Sequence, residues 1–367
     1  MATFVAGGPL NPTIHQNIII RRSQLDHILD NIINGDLYIA LCSPRQTGKT
    51  TLLYQIQACL SKQEYGVAYI DLENFDDLDK TSFYQEICEN INMSLSSFLD
   101  SNTEASLTPQ EVINETKFFK YLGELSKNTP KARKIVIIFD EIGGVPDLSS
   151  KTFFSTLRKV LTHSRGVQPE CQLYKKISFI FSGALDLHKL TEGHNSPLSN
   201  VCEPPVSLDD FSEEQVYILS KNLQVCAEIL AQTLSEHIYR WCNGHPYLTQ
   251  RLLDLTERSQ TFSNIKNEEV SRWMENLVEV NFLHNKDTNL DNILHYLENN
   301  NTSPRDSIFK VLKNENLKTV DHDDELFVAG FLRRLDDQCL VVRNQIYVKA
   351  LEVFFEKEKR ISTDEEN

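Results

Sequence analysis

Apolar residues recur at helical spacing from Gln24 to Ile33, at Leu25, Ile28, Leu29, Ile32 and Ile33, and Asn34-Gly35 then marks a turn. The continuous run Leu37-Tyr38-Ile39-Ala40-Leu41-Cys42 predicts a buried strand, followed by a polar loop and a second helix from Thr50 to Ser61. Val67-Ala68-Tyr69-Ile70-Asp71 predicts the next strand. Strand, helix and strand in this order form a βαβ unit, which calls for a parallel sheet covered by helices. Two more buried strands, Lys134 to Phe139 and Ile177 to Phe181, flank the amphipathic stretch Thr152 to Thr162, which predicts a crossover helix. The fold class is therefore α/β: a parallel sheet with helices on both faces.

Between these elements, Leu99 to Thr116 is rich in Ser, Thr and Asn and reads as a surface insertion. Beyond Val206 the strand signals fade. Glu213 to Ala231 and Leu234 to Trp241 predict helices that stop at Asn243-Gly244-His245-Pro246. From Asn289 onward come two or three helical stretches and then a hairpin-like segment, Gln338 to Val348. The expected organisation is an α/β domain over 1–205, a helical lid over 206–288, a winged-helix domain over 289–355 and a charged tail over 356–367.

Composition narrows the functional classes. With 37 basic and 52 acidic side chains the net charge is −15, which repels the nucleic-acid backbone and anionic membranes. The N-terminus lacks the basic start and apolar core of a signal peptide, and no run of about 18 apolar residues occurs. A cytoplasmic protein without membrane attachment is expected. The eight cysteines form no Cys-x-x-Cys pair and the ten histidines show no metal-ligand spacing, so reduced, packing cysteines are expected and zinc is not.

The candidate chemistry lies in the loop after the first strand. Ser43-Pro44-Arg45-Gln46-Thr47-Gly48-Lys49-Thr50 matches the phosphate-binding P-loop pattern except at its first position, where Ser43 replaces glycine. Loop amides and the helix N-terminus that continues into Thr51 would surround phosphates. Lys49 would neutralise the β- and γ-phosphates, and the Thr50 hydroxyl would ligate Mg²⁺. Independently, Ile135-Val136-Ile137-Ile138-Phe139 ends in two carboxylates. At the C-terminal edge of a parallel strand, Asp140 would hold the same Mg²⁺, and Glu141 would orient or deprotonate the attacking water. Ser182, closing the fourth strand, is a candidate for the γ-phosphate or the water, with helix capping as its structural alternative. Asp71 poses the same choice. Arg158 and Arg165 are candidates for an arginine finger acting on a neighbouring subunit.

Several motifs together carry a resemblance: Ile18-Ile19-Ile20-Arg21-Arg22, the P-loop with its Pro-Arg-Gln interior, Phe139-Asp140-Glu141, Asn195-Ser196-Pro197-Leu198 with Leu208-Asp209-Asp210-Phe211, and Gly244-His245-Pro246-Tyr247-Leu248. Over roughly residues 5 to 355 the chain resembles the AAA-like domain family of bacterial STAND-class signalling ATPases, relatives of the origin-recognition ATPases. The resemblance implies an ATP-binding core, a helical lid and a winged-helix domain packed back on the nucleotide. It further implies that Arg22 approaches the adenine region and that Gly244 and Pro246 line the nucleotide from the lid. The function implied is a slow ATPase acting as a switch, with ATP or ADP and Mg²⁺ bound and nucleotide state coupled to self-association or to a protein partner or effector. The alternative is a DNA-binding ATPase of origin-recognition or transposition-regulator type. It would use Arg333, Arg334, Arg343, Lys349, Lys357, Lys359 and Arg360, although these alternate with Asp336, Asp337, Glu352, Glu356 and Glu358. The chain would be either a stand-alone subunit with a separate effector or an excised fragment.

Overall fold

The computed structural model describes residues 4–35, 38–100, 107–184, 198, 202, 205–223, 228–259, 262, 265–284, 287–299, 302–313, 317–320, 323–335 and 338–365. Leu37, Asn195 to Pro197, Cys226, Asp336 and Asp337 fall outside these, as do 101–106 of the Ser- and Asn-rich stretch. Packing divides the chain into two units: Arg21–Ser43 with Gly48–Leu208, and Met1–Ile20 with Pro44–Thr47 and Asp209–Asn367.

The first unit is built on a sheet. Its elements in chain order are α1 (Ser23–Asn34), β1 (Tyr38–Cys42), α2 (Lys49–Ser61), β2 (Gly66–Asp71), α3 (Lys80–Ser94), α4 (Glu115–Asn128), β3 (Ile135–Asp140), α5 (Asp147–Ser164), α6 (Cys171–Lys175) and β4 (Ile177–Gly183). The strands lie in the order β1-β4-β3-β2, and every pairing is parallel. Alternate residues of each strand point to opposite faces. Ala40, Ile70, Ile137, Phe139, Phe179 and Phe181 share one core with Phe83, Phe118 and Phe153 of α3, α4 and α5. Ile39, Leu41, Val67, Val136, Ile138 and Ile180 share the other with Ile28 of α1 and Leu52 and Ile56 of α2. Burial on both faces is why β3 is apolar without a break up to Asp140, and why β4 is mostly apolar, with Ser178 as a buried exception before Ser182. The expected strand ends move outward: Asp140 closes β3, and Ser182 lies inside β4.

The second unit contains α7 (Glu213–Ser220), α8 (Glu228–Cys242), α9 (Pro246–Arg258), α10 (Val270–Val278) with a following π-helical turn (Glu279–His284), α11 (Thr288–Asn299), α12 (Thr302–Leu312), α13 (Asp323–Ala329), β5 (Leu332–Arg334), β6 (Leu340–Val342) and α14 (Gln345–Glu365). Phe4, Leu10 and Ile18 are buried in the core of this unit, among Leu234, Leu252, Met274 and Tyr347.

Two local expectations need correction here. The helix expected from Glu213 to Ala231 is two helices. The first starts at a capping box in which Ser212 accepts from the amide of Gln215 and Gln215 accepts from that of Ser212. It ends near Lys221, where Asn222 turns its side chain onto the carbonyls of Asn17 and Ile218. The hairpin expected through Val348 stops at Val342. Asn344 accepts from the Tyr347 amide at 2.9 Å, and that cap starts α14. The partner strand is Leu332–Arg334, antiparallel to β6. Among the described residues no helix is long and apolar enough to cross a membrane, and the seven described cysteines are all free.

Candidate functional site

β1 ends at Cys42, and the chain then turns through the P-loop residues into α2. Gly48 sits at the helix entry with φ +89°, a conformation that disfavours any residue with a Cβ. The Arg22 guanidinium lies 3.5 Å from the point a Cβ on Gly48 would occupy, so this buried arginine stands beside the end of the loop. Lys49, also buried, donates from Nζ to the Ser43 carbonyl at 3.1 Å. Thr51 follows in the first turn of α2.

The serine that replaces the first glycine has a clear role. Ser43 Oγ accepts the Leu208 amide at 2.7 Å. Two residues earlier, Val206 donates to the Ala40 carbonyl at 2.7 Å and accepts from the Cys42 amide at 2.9 Å, forming a parallel bridge with Leu41. The returning chain therefore covers the edge of β1, and the Ser43 side chain anchors it at the loop entrance.

At the ends of the neighbouring strands, Asp140 is buried and accepts at both oxygens. Oδ2 takes the Thr50 hydroxyl at 2.8 Å and the Tyr69 hydroxyl at 2.9 Å, and Oδ1 takes the Glu141 amide at 3.0 Å. Glu141 is half-buried with φ +45°, a left-handed conformation that costs a side chain about 1 kcal/mol. It begins a tight turn that carries the chain away from the strand end. Ser182 pairs with Leu41 in the sheet, and its buried Oγ has no hydrogen-bond partner among the described residues. This polar atom at the row of strand ends, with the hard oxygen donors of Thr50 and Asp140, fits a phosphate and a magnesium ion. Asp71, by contrast, is exposed and accepts the Glu73 amide at 3.0 Å, a local turn. Arg158 and Arg165 are exposed on and just after α5.

Sequence reasoning passed over Tyr69. It follows Ala68 in β2, pairs with Ile138 and points to the α2 face, where its ring meets Tyr54 edge-on at 5.2 Å. Burial and the Asp140 charge both raise the pKa of its hydroxyl far above the usual phenol value, so it stays a donor at any working pH. A polar-tipped aromatic two residues before the strand's C-terminal acid was the available signal.

The loop interior, Pro44, Arg45, Gln46 and Thr47, packs with the second unit. Arg45 is exposed, Thr47 Oγ1 donates to the Pro44 carbonyl at 2.9 Å, and Gln46, at φ +59°, accepts from the Asn289 side chain. Asn289 in turn accepts the Tyr347 hydroxyl at 2.9 Å, and Tyr347 lies 3.1 Å from His245 Nε2. His245 Nδ1 accepts the Leu248 amide at 3.5 Å and so caps α9, with Pro246 at the first helical position. Burial, and then the nearby Arg343 charge, depress the pKa of His245 well below its ordinary value and keep the ring neutral. Gly244, at φ +74°, accepts the Phe211 amide at 2.8 Å; a Cβ there would come within 1.9 Å of the Phe211 carbonyl oxygen.

Of the basic residues considered for DNA, Arg343 is buried against Asp210, Arg334 donates to the Lys318 carbonyl and Lys349 pairs with Glu352 at 2.8 Å. The side chains of Lys359 and Arg360 lie outside the described residues.

The sequence profile of the AAA-like domain matches residues 11–342. The chain belongs to the AAA-like domain family. Among solved structures this AAA-like chain is similar to a Walker-type ATPase of Pyrococcus abyssi, at 14% identity and a TM-score of 0.63, covering 96% of this chain and 100% of that one. It is also similar to the ORC1 protein of Aeropyrum pernix in complex with DNA, at 13% identity and a TM-score of 0.42, covering 92% and 94% of the two chains. A third is a STAND signal-transduction ATPase from Pyrococcus horikoshii with a tetratricopeptide-repeat sensor, at 14% identity and a TM-score of 0.41, covering 91% of this chain and 42% of that one. No curated protein matches it in sequence. The first likeness establishes the fold: an AAA-like P-loop ATPase fold on a four-stranded parallel sheet.

Proposed function

We propose that this AAA-like protein binds ATP with Mg²⁺, hydrolyses it slowly and acts as a nucleotide-dependent switch. The observation that carries the reading is the 2.8 Å bond from the Thr50 hydroxyl to Asp140 at the end of β3, with Ser182 Oγ, which has no hydrogen-bond partner among the described residues, on the adjacent strand. A buried carboxylate is stabilised by a nearby cation, and the Mg²⁺ of a metal–polyphosphate complex held between Lys49, Thr50 and Asp140 would supply that charge, with Lys49 facing the phosphates. Thr50 would hold Mg²⁺ through its hydroxyl oxygen while still donating its proton to Asp140. When bound, Mg²⁺ neutralises the charge that develops on the β- and γ-phosphate oxygens. Lys49 exchanges its bond to the Ser43 carbonyl for the phosphates, Ser182 donates to the γ-phosphate or to water, and Glu141 removes the proton of the attacking water. Arg22 adds positive charge beside Gly48; Gly244 and Pro246 enter the reading only through the family resemblance.

In this reading residues 206–288 act as a lid and 289–355 as a winged helix, and a partner or self-association reads the nucleotide state. The slow-switch reading is tested by Glu141→Gln. The amide keeps the size but cannot accept the proton, so ATP affinity stays near wild type while hydrolysis falls about 10²- to 10⁴-fold. With ATP the variant should hold one elution volume and proteolysis pattern, and wild type with ADP another. Wild-type turnover removes Glu141 from the role of base, and identical patterns in ATP and ADP reject the switch.

A further inference from the structure

Asp140 receives two hydroxyls on one oxygen, and only one of them belongs to the P-loop. Thr50 donates to Oδ2 from α2, and Tyr69 donates to the same atom from β2, the strand beside β3. We propose that Tyr69 is a positioning residue for the divalent cation: its hydroxyl fixes the Asp140 carboxylate in the orientation from which it, together with Thr50, holds the metal of a metal–nucleotide complex. The inference rests on the reading of this site as a metal–ATP site.

The geometry distinguishes Tyr69 from Thr50. Once Thr50 Oγ1 is a metal ligand its position is set by the ion, so it cannot independently set the rotation of the carboxylate. Tyr69 can, because its place is fixed from elsewhere. Its backbone is locked into the sheet opposite Ile138, and its ring is held edge-on by Tyr54, one helical turn beyond Thr50 on α2. The Glu141 amide fixes the second carboxylate oxygen at 3.0 Å. The carboxylate plane is thus defined by three donors, and Tyr69 is the one that comes neither from the P-loop helix nor from the chain at Asp140 itself, but from the neighbouring strand β2. Magnesium demands near-octahedral geometry and keeps several of its waters, so a carboxylate that reaches it through water depends strongly on orientation. Partners that orient metal ligands typically change metal affinity or activity by about 10- to 100-fold when removed.

The test uses the full chain and reads nucleotide binding by calorimetry across a titration of free Mg²⁺ and in EDTA, so no turnover is needed. Tyr69→Phe keeps the ring against Tyr54 and removes only the hydroxyl. The expected result is a rise of about tenfold in the free Mg²⁺ needed for half-maximal ATP binding. ATP affinity in EDTA and the melting temperature should stay close to wild type. In an Asp140→Asn background the same substitution should change the Mg²⁺ requirement no further, because its effect passes through the carboxylate. An unchanged Mg²⁺ requirement overturns the inference. So does equal weakening in EDTA, which would indicate loss of packing, or an undiminished effect in the Asp140→Asn background. If wild type binds ATP no better than Lys49→Ala, the metal–ATP reading itself fails, a result distinct from a Tyr69 effect that is missing from a working site.

Discussion

At the end of the parallel sheet, Asp140 gathers hydroxyls from Thr50 and Tyr69, while Ser182 Oγ is buried on the next strand without a hydrogen-bond partner among the described residues. In the helical unit, both ring nitrogens of His245 are taken, one by the Leu248 amide and the other by Tyr347, whose hydroxyl continues to Asn289. Both clusters are buried and polar, yet they differ in what remains to be satisfied. The first joins a buried carboxylate, reached by hydroxyl and amide donors, to a hydroxyl that has no hydrogen-bond partner among the described residues. The second is built from neutral groups, each bonded to the next. Burial of polar groups therefore does not by itself mark a ligand site; unused hydrogen-bonding capacity does.

That contrast can be broken by substitution. The largest effect should come from Lys49→Ala, which removes a buried cation from the phosphate loop. Losing a charge-assisted interaction of this kind should weaken ATP binding about 100-fold, measured by calorimetry, with only a small change in melting temperature. A large fall in stability with unaltered affinity would make Lys49 a scaffold residue and erase the distinction.

His245→Asn should behave in the opposite way. The amide oxygen can still cap α9, but the bond to Tyr347 is lost, costing about 1–2 kcal/mol of stability near pH 7.5. The pH dependence sharpens the point. The folded ring stays neutral because its pKa is depressed, whereas the unfolded histidine takes a proton near pH 6.5. Below that pH the unfolded state binds more protons, so wild type loses up to about 1.4 kcal/mol per pH unit from this group, and nothing comparable above pH 7.5. The stability gap between wild type and variant, followed by urea unfolding, should therefore narrow as pH falls from 7 to 5. A constant gap would mean that the ring is charged in the fold.

The smallest effect expected is that of Ser182→Ala. Because the Oγ makes no hydrogen bond among the described residues, stability should stay within about 0.5 kcal/mol, typical of a substitution that removes no interaction. Hydrolysis should fall several-fold. A clear loss of stability with unchanged turnover would make Ser182 structural, like His245.

The parallel sheet was legible in the sequence, because strands covered on both faces are apolar nearly throughout, as Ile135 to Phe139 is without a break and Ile177 to Phe181 is apart from Ser178. The P-loop was legible because its residues are contiguous and each answers a local requirement of loop or helix start, and the family because several such short motifs occur in order along the chain. Helix ends set by side chains were less legible: Asn344 can cap a helix or extend a hairpin, and only packing of Tyr347 and Ile346 into the core selects the helix. Tertiary structure alone decided which polar groups meet. Tyr69 and Asp140 are 71 residues apart, His245 and Tyr347 are 102 apart, and Ser43 and Leu208 are 165 apart. Strand order and register bring Tyr69 beside Asp140, and helix packing brings Tyr347 to His245. A hydrogen bond depends on position and direction in space to within a fraction of an ångström, and residue spacing along a chain carries that information only within a single element.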